Sequence, residues 1–194
     1  MADLLLASAS PRRRELLEQI GVSFISEPQD IYETPLLDES PEAYVERLAR
    51  EKAQQGAQQS SLPVLGSDTC VVLDGEILSK PNTKADACAM LSRLSGRSHH
   101  VLTAIAICTN KLGEPELMSQ VVSTEVQFNP LAPTQIEDYV ATGEPMDKAG
   151  AYGIQGKAAV FVAGIVGSYS NVVGLPLMET AQLLQHYNVP IWQD

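Results

Sequence analysis

The chain has 194 residues, 24 of them acidic and 13 basic, with a formal net charge of -11 and 44% hydrophobic residues. That length and apolar content fit one domain, or two small lobes sharing a core, burying roughly 70% of the surface the unfolded chain exposes, which excludes a disordered protein. The negative charge excludes the basic surface that drives non-specific binding to DNA, RNA or an anionic membrane, so any phosphate must be held by local groups.

The apolar start Leu4-Leu5-Leu6-Ala7 is short, lacks a preceding basic segment and has Asp3 beside it, so it does not read as a signal peptide. No apolar run approaches the ~20 residues of a membrane span, and a cytosolic protein is expected. Residues 3–7 read as a strand, and Ser10 followed by Pro11 reads as a helix cap with proline at the first helical position. Gly21 is placed to stop that helix before a second apolar run over 22–25. A polar stretch over 26–39, containing Pro28 and Pro35, predicts a long loop, and long loops in compact domains tend to be functional.

Ser40-Pro41 opens a helix to about Ala57 with an apolar stripe of Tyr44, Leu48, Ala49 and Ala53, leaving Arg47, Arg50 and Lys52 on its other faces. Residues 63–67 and 70–73 read as strand around a break at Asp68, and Asp74-Gly75 signals a hairpin turn into residues 76–78. Thr83 with Asp86 three residues on predicts a capping box for a helix through Leu94, ended by Gly96. Residues 101–108 and the alternating 121–128 predict a hairpin turning over 110–113. Thr134 with Glu137 predicts a short helix ending at Gly143. A glycine-rich segment over 144–156, a strand over 158–163, glycines at 167 and 174, and a last helix over 176–187 complete the chain. Interleaved helices and strands argue an α/β fold with a mixed sheet. Cys70, Cys88 and Cys108 form no CxxC pair and read as small buried hydrophobes; His99, His100 and His186 lack metal-ligand spacing, so no zinc site is expected.

Three segments carry candidate chemistry. In Ser8-Ala9-Ser10-Pro11-Arg12-Arg13-Arg14 a strand feeds a tight turn into a helix N-terminus, where unpaired N–H groups and guanidiniums favour an anion; the alternative is a set of surface arginines. Gly66-Ser67-Asp68-Thr69 puts a carboxylate into an otherwise apolar segment, fit to hold a cation or activate water, the alternative being a turn aspartate. Asp147-Lys148-Ala149-Gly150-Ala151-Tyr152-Gly153-Ile154-Gln155-Gly156 reads either as a glycine-rich turn or as a close approach to a ligand whose base edge Gln155 meets.

Together with Leu48-Ala49-Arg50-Glu51-Lys52-Ala53, Lys80-Pro81 and Gly174-Leu175-Pro176, these segments resemble, in order along nearly the whole chain, the Maf family of nucleoside triphosphate pyrophosphatases. The resemblance implies an inosine-triphosphatase-like α/β fold over 1–194: a mixed twisted sheet with flanking helices, and two lobes around a nucleotide cleft. It implies Asp68 as catalytic base, Arg12, Thr69 and Gln155 in substrate choice, Ser8 in substrate binding, Arg13, Lys52 and Lys80 on the phosphates, Glu33, in the long polar loop, as acidic partner for metal or water, and Asp68 with Glu33 as the metal ligands. The form of the Asp147–Gly156 segment is that of the dTTP/UTP-hydrolysing branch. One amide meets the O4/N3–H edge of such pyrimidines, although guanine offers an equivalent edge. The same chemistry on another nucleotide such as 7-methyl-GTP, and a non-catalytic nucleotide-binding regulator of cell division, are the alternative readings. The implied cofactor is Mg²⁺ or Mn²⁺, since carboxylates and phosphate oxygens are its ligands. Expected partners are the triphosphate and, from the resemblance, a second copy in a homodimer, without nucleic acid or membrane; nucleotide house-cleaning, limitation of dTTP or UTP and slowing of division are equally compatible with the sequence as its cellular role.

Overall fold

The computed structural model describes residues 2–111 and 114–193. Along the chain lie β1 (Leu4–Leu6), α1 (Pro11–Gln19), β2 (Phe24–Ser26), α2 (Pro41–Ala57), β3 (Val64–Leu73), β4 (Glu76–Leu78) and α3 (Lys84–Leu94). They are followed by β5 (Ser98–Lys111), β6 (Glu114–Phe128), α4 (Pro133–Ala141), β7 (Val162–Val166), α5 (Tyr169–Val173) and α6 (Leu177–His186). The strands join in the order β2-β1-β3-β5-β6-β7, with β4 paired to β3 off that path. β1 runs parallel to β2 and β3, while β4 is antiparallel to β3 and β7 antiparallel to β6. The sheet is therefore mixed and the fold α/β, as the interleaving predicts.

The local signals explain most boundaries. Ser10 stands at the N-cap of α1 with Pro11 inside, though its hydroxyl makes no capping bond. The Ser40 hydroxyl accepts from the Ala43 N–H at the start of α2. Thr83 and Asp86 form the reciprocal capping box of α3. Asp74 and Gly75 both have positive φ, 55° and 81°, the backbone a two-residue hairpin turn demands.

Four expectations are corrected. β3 runs unbroken through Asp68, because Ser67, Asp68 and Thr69 keep extended backbone inside the sheet. Residues Lys157–Phe161 form a 3₁₀ turn, and the strand begins only at Val162. At α4 the cap is made by Gln135, whose side chain accepts from the Ala132 N–H at 2.8 Å, since Pro133 rather than Thr134 opens the helix. Cys70 and Cys108 are buried, but Cys88 is partly exposed. The expected hairpin tip falls on Leu112 and Gly113, outside the described residues.

The chain divides into two compact units. The first comprises Met1–Asp68, Thr103–Val122 and Gly174–Asp194, and buries Leu4, Leu6, Leu17, Leu48, Leu65 and Leu184. The second comprises Thr69–Leu102 and Ser123–Val173. Its core combines Leu91, Leu94 and Val126 with Phe128, Tyr139, Tyr152 and Phe161, whose rings meet edge to face. Such pairs add about 1 kcal/mol each beyond their burial and fix ring positions.

Candidate active site

The first unit builds its site where α2 lies on β3. The buried face of α2 repeats at helical spacing through Val45, Leu48, Ala49, Lys52, Ala53 and Gly56. Lys52 thus belongs to that face, not to the solvent faces the stripe predicts, and is 8% exposed. Its Nζ donates to Asp68 Oδ1 at 2.7 Å and lies 2.7 Å from Glu33 Oε1. An ammonium is tolerated in such a place because carboxylates neutralise it; left alone it would carry a large desolvation cost.

Glu33 reaches Lys52 from the long loop between β2 and α2, and α2 itself holds that loop. The Tyr44 hydroxyl donates to the Glu33 carbonyl at 2.9 Å. Arg47 forks onto Glu39, Nε to Oε1 at 2.6 Å and Nη2 to Oε2 at 2.8 Å, and also donates to the carbonyls of Tyr32 and Thr34. The hydrogen bond from Arg47 holds the Glu39 carboxyl below its usual 4.5, and the same pairing raises the Arg47 guanidinium. The stripe of α2 puts Arg47 on an outer face. Its partners are main-chain carbonyls, Glu39 eight residues upstream and, at 3.5 Å, Glu51 one turn along α2; only the last, an i,i+4 pair, has a sequence signature.

The Ser-rich turn closes on the same unit. Ser8 is buried, and its Oγ accepts from the Ser10 N–H and from Arg13 Nη1, each at 3.2 Å. Arg13 Nε donates to the Gly174 carbonyl at 2.9 Å, and Ser67 Oγ to the same oxygen at 3.3 Å. Gly174-Leu175-Pro176 therefore supplies an acceptor that aims Arg13. Burial lowers the Arg13 pKa below the ordinary guanidinium value, while Asp68 raises it, Arg12 lowers it and Glu33 raises it. A guanidinium stays charged through such shifts. Arg12 is half-buried and Arg14 exposed.

In the second unit Thr69 is half-buried on β3, and Lys80 and Gln155 are exposed. Gln155 sits on a turn closed by the Gly156 N–H donating to the Gly153 carbonyl at 3.0 Å. Beside it Tyr152 is buried, its hydroxyl 2.7 Å from His99 Nε2. Burial, with a smaller contribution from His100, lowers the His99 pKa to about 4. The contacts thus join Ser8 to Arg13, and Lys52 to both Asp68 and Glu33. Among the described residues Arg12, Lys80 and Gln155 share no hydrogen bond with another candidate.

The donor set suits a hard divalent cation. Asp68 and Glu33 already present carboxylate oxygens to one shared cationic group, and Mg²⁺ or Mn²⁺ characteristically takes one or two carboxylates and completes its shell with phosphate oxygens and water.

Arginine and lysine side chains are groups able to bind phosphate oxygens, and here they stand beside carboxylates in an α/β unit. Residues 3–187 match the family model for Maf, described as Maf-like protein, and the chain belongs to the Maf family. A dTTP/UTP pyrophosphatase of Saccharophagus degradans is 50% identical over 198 residues, taking in 100% of this chain and 92% of the relative. One of Yersinia pestis is 51% identical over 189 residues, covering 96% of this chain and 94% of its own. The solved structure of a HAM1 protein from Coxiella burnetii aligns over 96% of this chain and 100% of its own, at 21% identity and a TM-score of 0.49. Among the described residues, no helix is long and apolar enough to cross a membrane.

Proposed function

We propose that this chain hydrolyses dTTP and UTP to the nucleoside monophosphate and pyrophosphate. The observation that carries the reaction is the Glu33–Lys52–Asp68 cluster, in which a buried ammonium orients a carboxylate within a strand. The names of the relatives that align along the whole chain support the substrate.

Lys52 engages Asp68 at Oδ1, which leaves Oδ2 to take a proton. A water oxygen bonds to the α-phosphorus while the bond from that phosphorus to the α,β-bridging oxygen breaks. The water proton passes to Asp68, and the bridging oxygen leaves on pyrophosphate with the electron pair. Arg13, held in place by Ser8 and Gly174, with Arg12, Lys52 and Lys80, offsets the charge gathering on the leaving group. Asp68 and Glu33 would hold the divalent cation, which when bound draws charge from phosphate oxygens. Thr69 and Gln155 act in substrate choice, the Gln155 amide meeting the O4 and N3–H edge of thymine or uracil with its donor and acceptor.

The test is pyrophosphate release from a panel of canonical triphosphates and 7-methyl-GTP, with Mg²⁺, with Mn²⁺ and with chelator. Metal-dependent release strongest on dTTP and UTP is the expected result. Binding of a triphosphate without release would replace the enzyme by a nucleotide-binding regulator, and a preference for 7-methyl-GTP would reassign the substrate.

A further inference from the structure

The turn that carries Gln155 lies among glycines, with Gly153 and Ile154 half-buried and Gln155 and Gly156 exposed, and is closed by its own bond from the Gly156 N–H to the Gly153 carbonyl. Its exposed end is held further by Glu144. Both oxygens of the Glu144 carboxylate accept from the Lys157 N–H, Oε1 at 2.9 Å and Oε2 at 3.1 Å. Oε1 also accepts from the Tyr139 hydroxyl at 3.0 Å. The carboxylate lies directly against Gly156: a Cβ there would collide with Oε1 and stand 2.7 Å from Cδ and 2.9 Å from Oε2. Glycine is thus the residue that lets the acid close on the end of the turn. At the other end the Gly153 main chain is hydrogen-bonded to the Tyr139 hydroxyl, and Lys148 Nζ donates to the Glu144 carbonyl at 2.7 Å. The Lys148 stem packs on Gly153, where a Cβ would meet Cε at 2.8 Å.

The clamp is itself anchored. Tyr139 is buried, its ring edge to face with Phe161 at 5.2 Å. Burial raises its hydroxyl pKa, and its bond to Glu144 adds to that shift, so it stays a donor. The Glu144 N–H donates to Thr142 Oγ1 at 3.2 Å. A rigid aromatic, an acid and two glycines therefore fix the backbone on both sides of Gln155. Among the described residues none of these groups bonds to the Gln155 side chain, which is exposed.

We propose that Glu144 is a positioning residue for base recognition, its carboxylate fixing the Gly153–Gly156 turn at the angle from which Gln155 reads the pyrimidine edge. This rests on the base-reading role proposed for Gln155. A hydrogen bond to a base edge counts only if its donor and acceptor are held in register, and slack in that turn weakens binding without touching the chemical step.

The experiment is a double-mutant cycle on the full chain with Mg²⁺: kcat and KM on dTTP, UTP and CTP for wild type, Glu144→Gln, Gln155→Ala and the double variant, with melting curves for each. Glu144→Gln is expected to raise KM for dTTP and UTP by about 5- to 10-fold, keep kcat within about twofold, and reduce the preference over CTP by a similar factor. In the Gln155→Ala background the same change should move the preference by less than about twofold. A carboxylate that only caps the 3₁₀ turn after Gly156 would lower the melting temperature with the preference unchanged, and that result overturns the proposal. So does a shift in preference that survives Gln155→Ala undiminished. If Gln155→Ala alone leaves the relative rates intact, the base-reading role itself fails, and the two failures are told apart. Gly156→Ala, which presses a methyl on the same carboxylate while deleting no hydrogen-bonding group, carries the comparison if Glu144→Gln does not fold.

Discussion

Gly66 of β3 lies in contact with the carbonyl of Ala49 on α2: a Cβ at Gly66 would overlap that oxygen and stand 2.7 Å from the Ala53 N–H nitrogen. The clash is with helix backbone, which cannot rotate away as a side chain would. The close approach brings Lys52, one turn beyond Ala49, within reach of Asp68. Gly66→Ala must therefore push α2 off the sheet and stretch the Lys52–Asp68 bond at once. A loss of about 3 kcal/mol is expected from overpacking of this kind. For a chain of this size that lowers the melting temperature by about 10 °C. Assayed well below its melting point, the variant should still show depressed kcat. A Gly66→Ala protein with normal stability and normal kcat would mean that the approach of α2 does not set the site.

Asp68→Asn separates the base from the scaffold. The amide keeps an oxygen for Lys52 and the shape of β3, yet cannot take a proton, so kcat should fall by a factor on the order of 10² to 10⁴. Lys52 retains Glu33 as counter-charge in that variant, and the melting temperature should move little. Stopped or quenched turnover on dTTP beside a melting curve measures both. Near-normal turnover in a folded Asp68→Asn protein would remove Asp68 as base.

The motif-bearing residues were legible because short-range chemistry writes them into the sequence. Ser10-Pro11 and Thr83 with Asp86 marked helix starts, and Asp74-Gly75 marked a hairpin, each through a constraint spanning four residues or fewer. Lys52 was placed among the site residues by its motif, yet its burial was not readable. A stripe pattern sorts a lysine to solvent, and the acids that reverse this lie 16 residues downstream and 19 upstream. The unbroken β3 was missed for a related reason: Asp68 looks like a strand breaker until its cationic partner is known. The positioning roles of Arg47 and Glu144 are not readable from sequence because part of each residue's grip is on main-chain groups, which have no residue identity to recognise, and the side-chain partners Glu39 and Tyr139 follow no motif.

Arg47 predicts a test of the loop that carries Glu33. Arg47→Lys keeps the charge but cannot make the two-pronged contact with Glu39 or reach the carbonyls of Tyr32 and Thr34 together. The loop over residues 27–40 should loosen, displacing Glu33 from Lys52. Proteolysis within the loop should quicken, and kcat/KM should fall by about 10-fold, since misplacement rather than removal of a group is involved. More metal should be needed for half-maximal activity if Glu33 is a ligand. Unchanged proteolysis together with unchanged kcat/KM would show that the loop is held without Arg47.

His99 sets the acid limit of the second unit. It is 1% exposed, packs edge to face on Phe128 at 5.0 Å, and is held neutral with its pKa lowered to about 4. Above the usual pH 6.5 the residue is neutral folded or unfolded and contributes no pH dependence. Between pH 6.5 and 4 the unfolded chain binds a proton that the folded chain refuses, so stability falls on acidification by about 3 kcal/mol. Below pH 4 both states are protonated there and the loss stops. Glu39 follows a different course: its carboxyl is held low by Arg47, so its stabilisation is present above pH 4.5 and is lost only as pH falls through its folded value. His99→Gln keeps a side chain able to pair with the Tyr152 hydroxyl and removes the titration. Melting temperatures taken from pH 4 to pH 8 should therefore lie close together above pH 6.5 and separate at the acid end, the wild type losing stability across pH 6.5 to 4 while the variant changes far less. Parallel curves for the two proteins would place the acid sensitivity elsewhere.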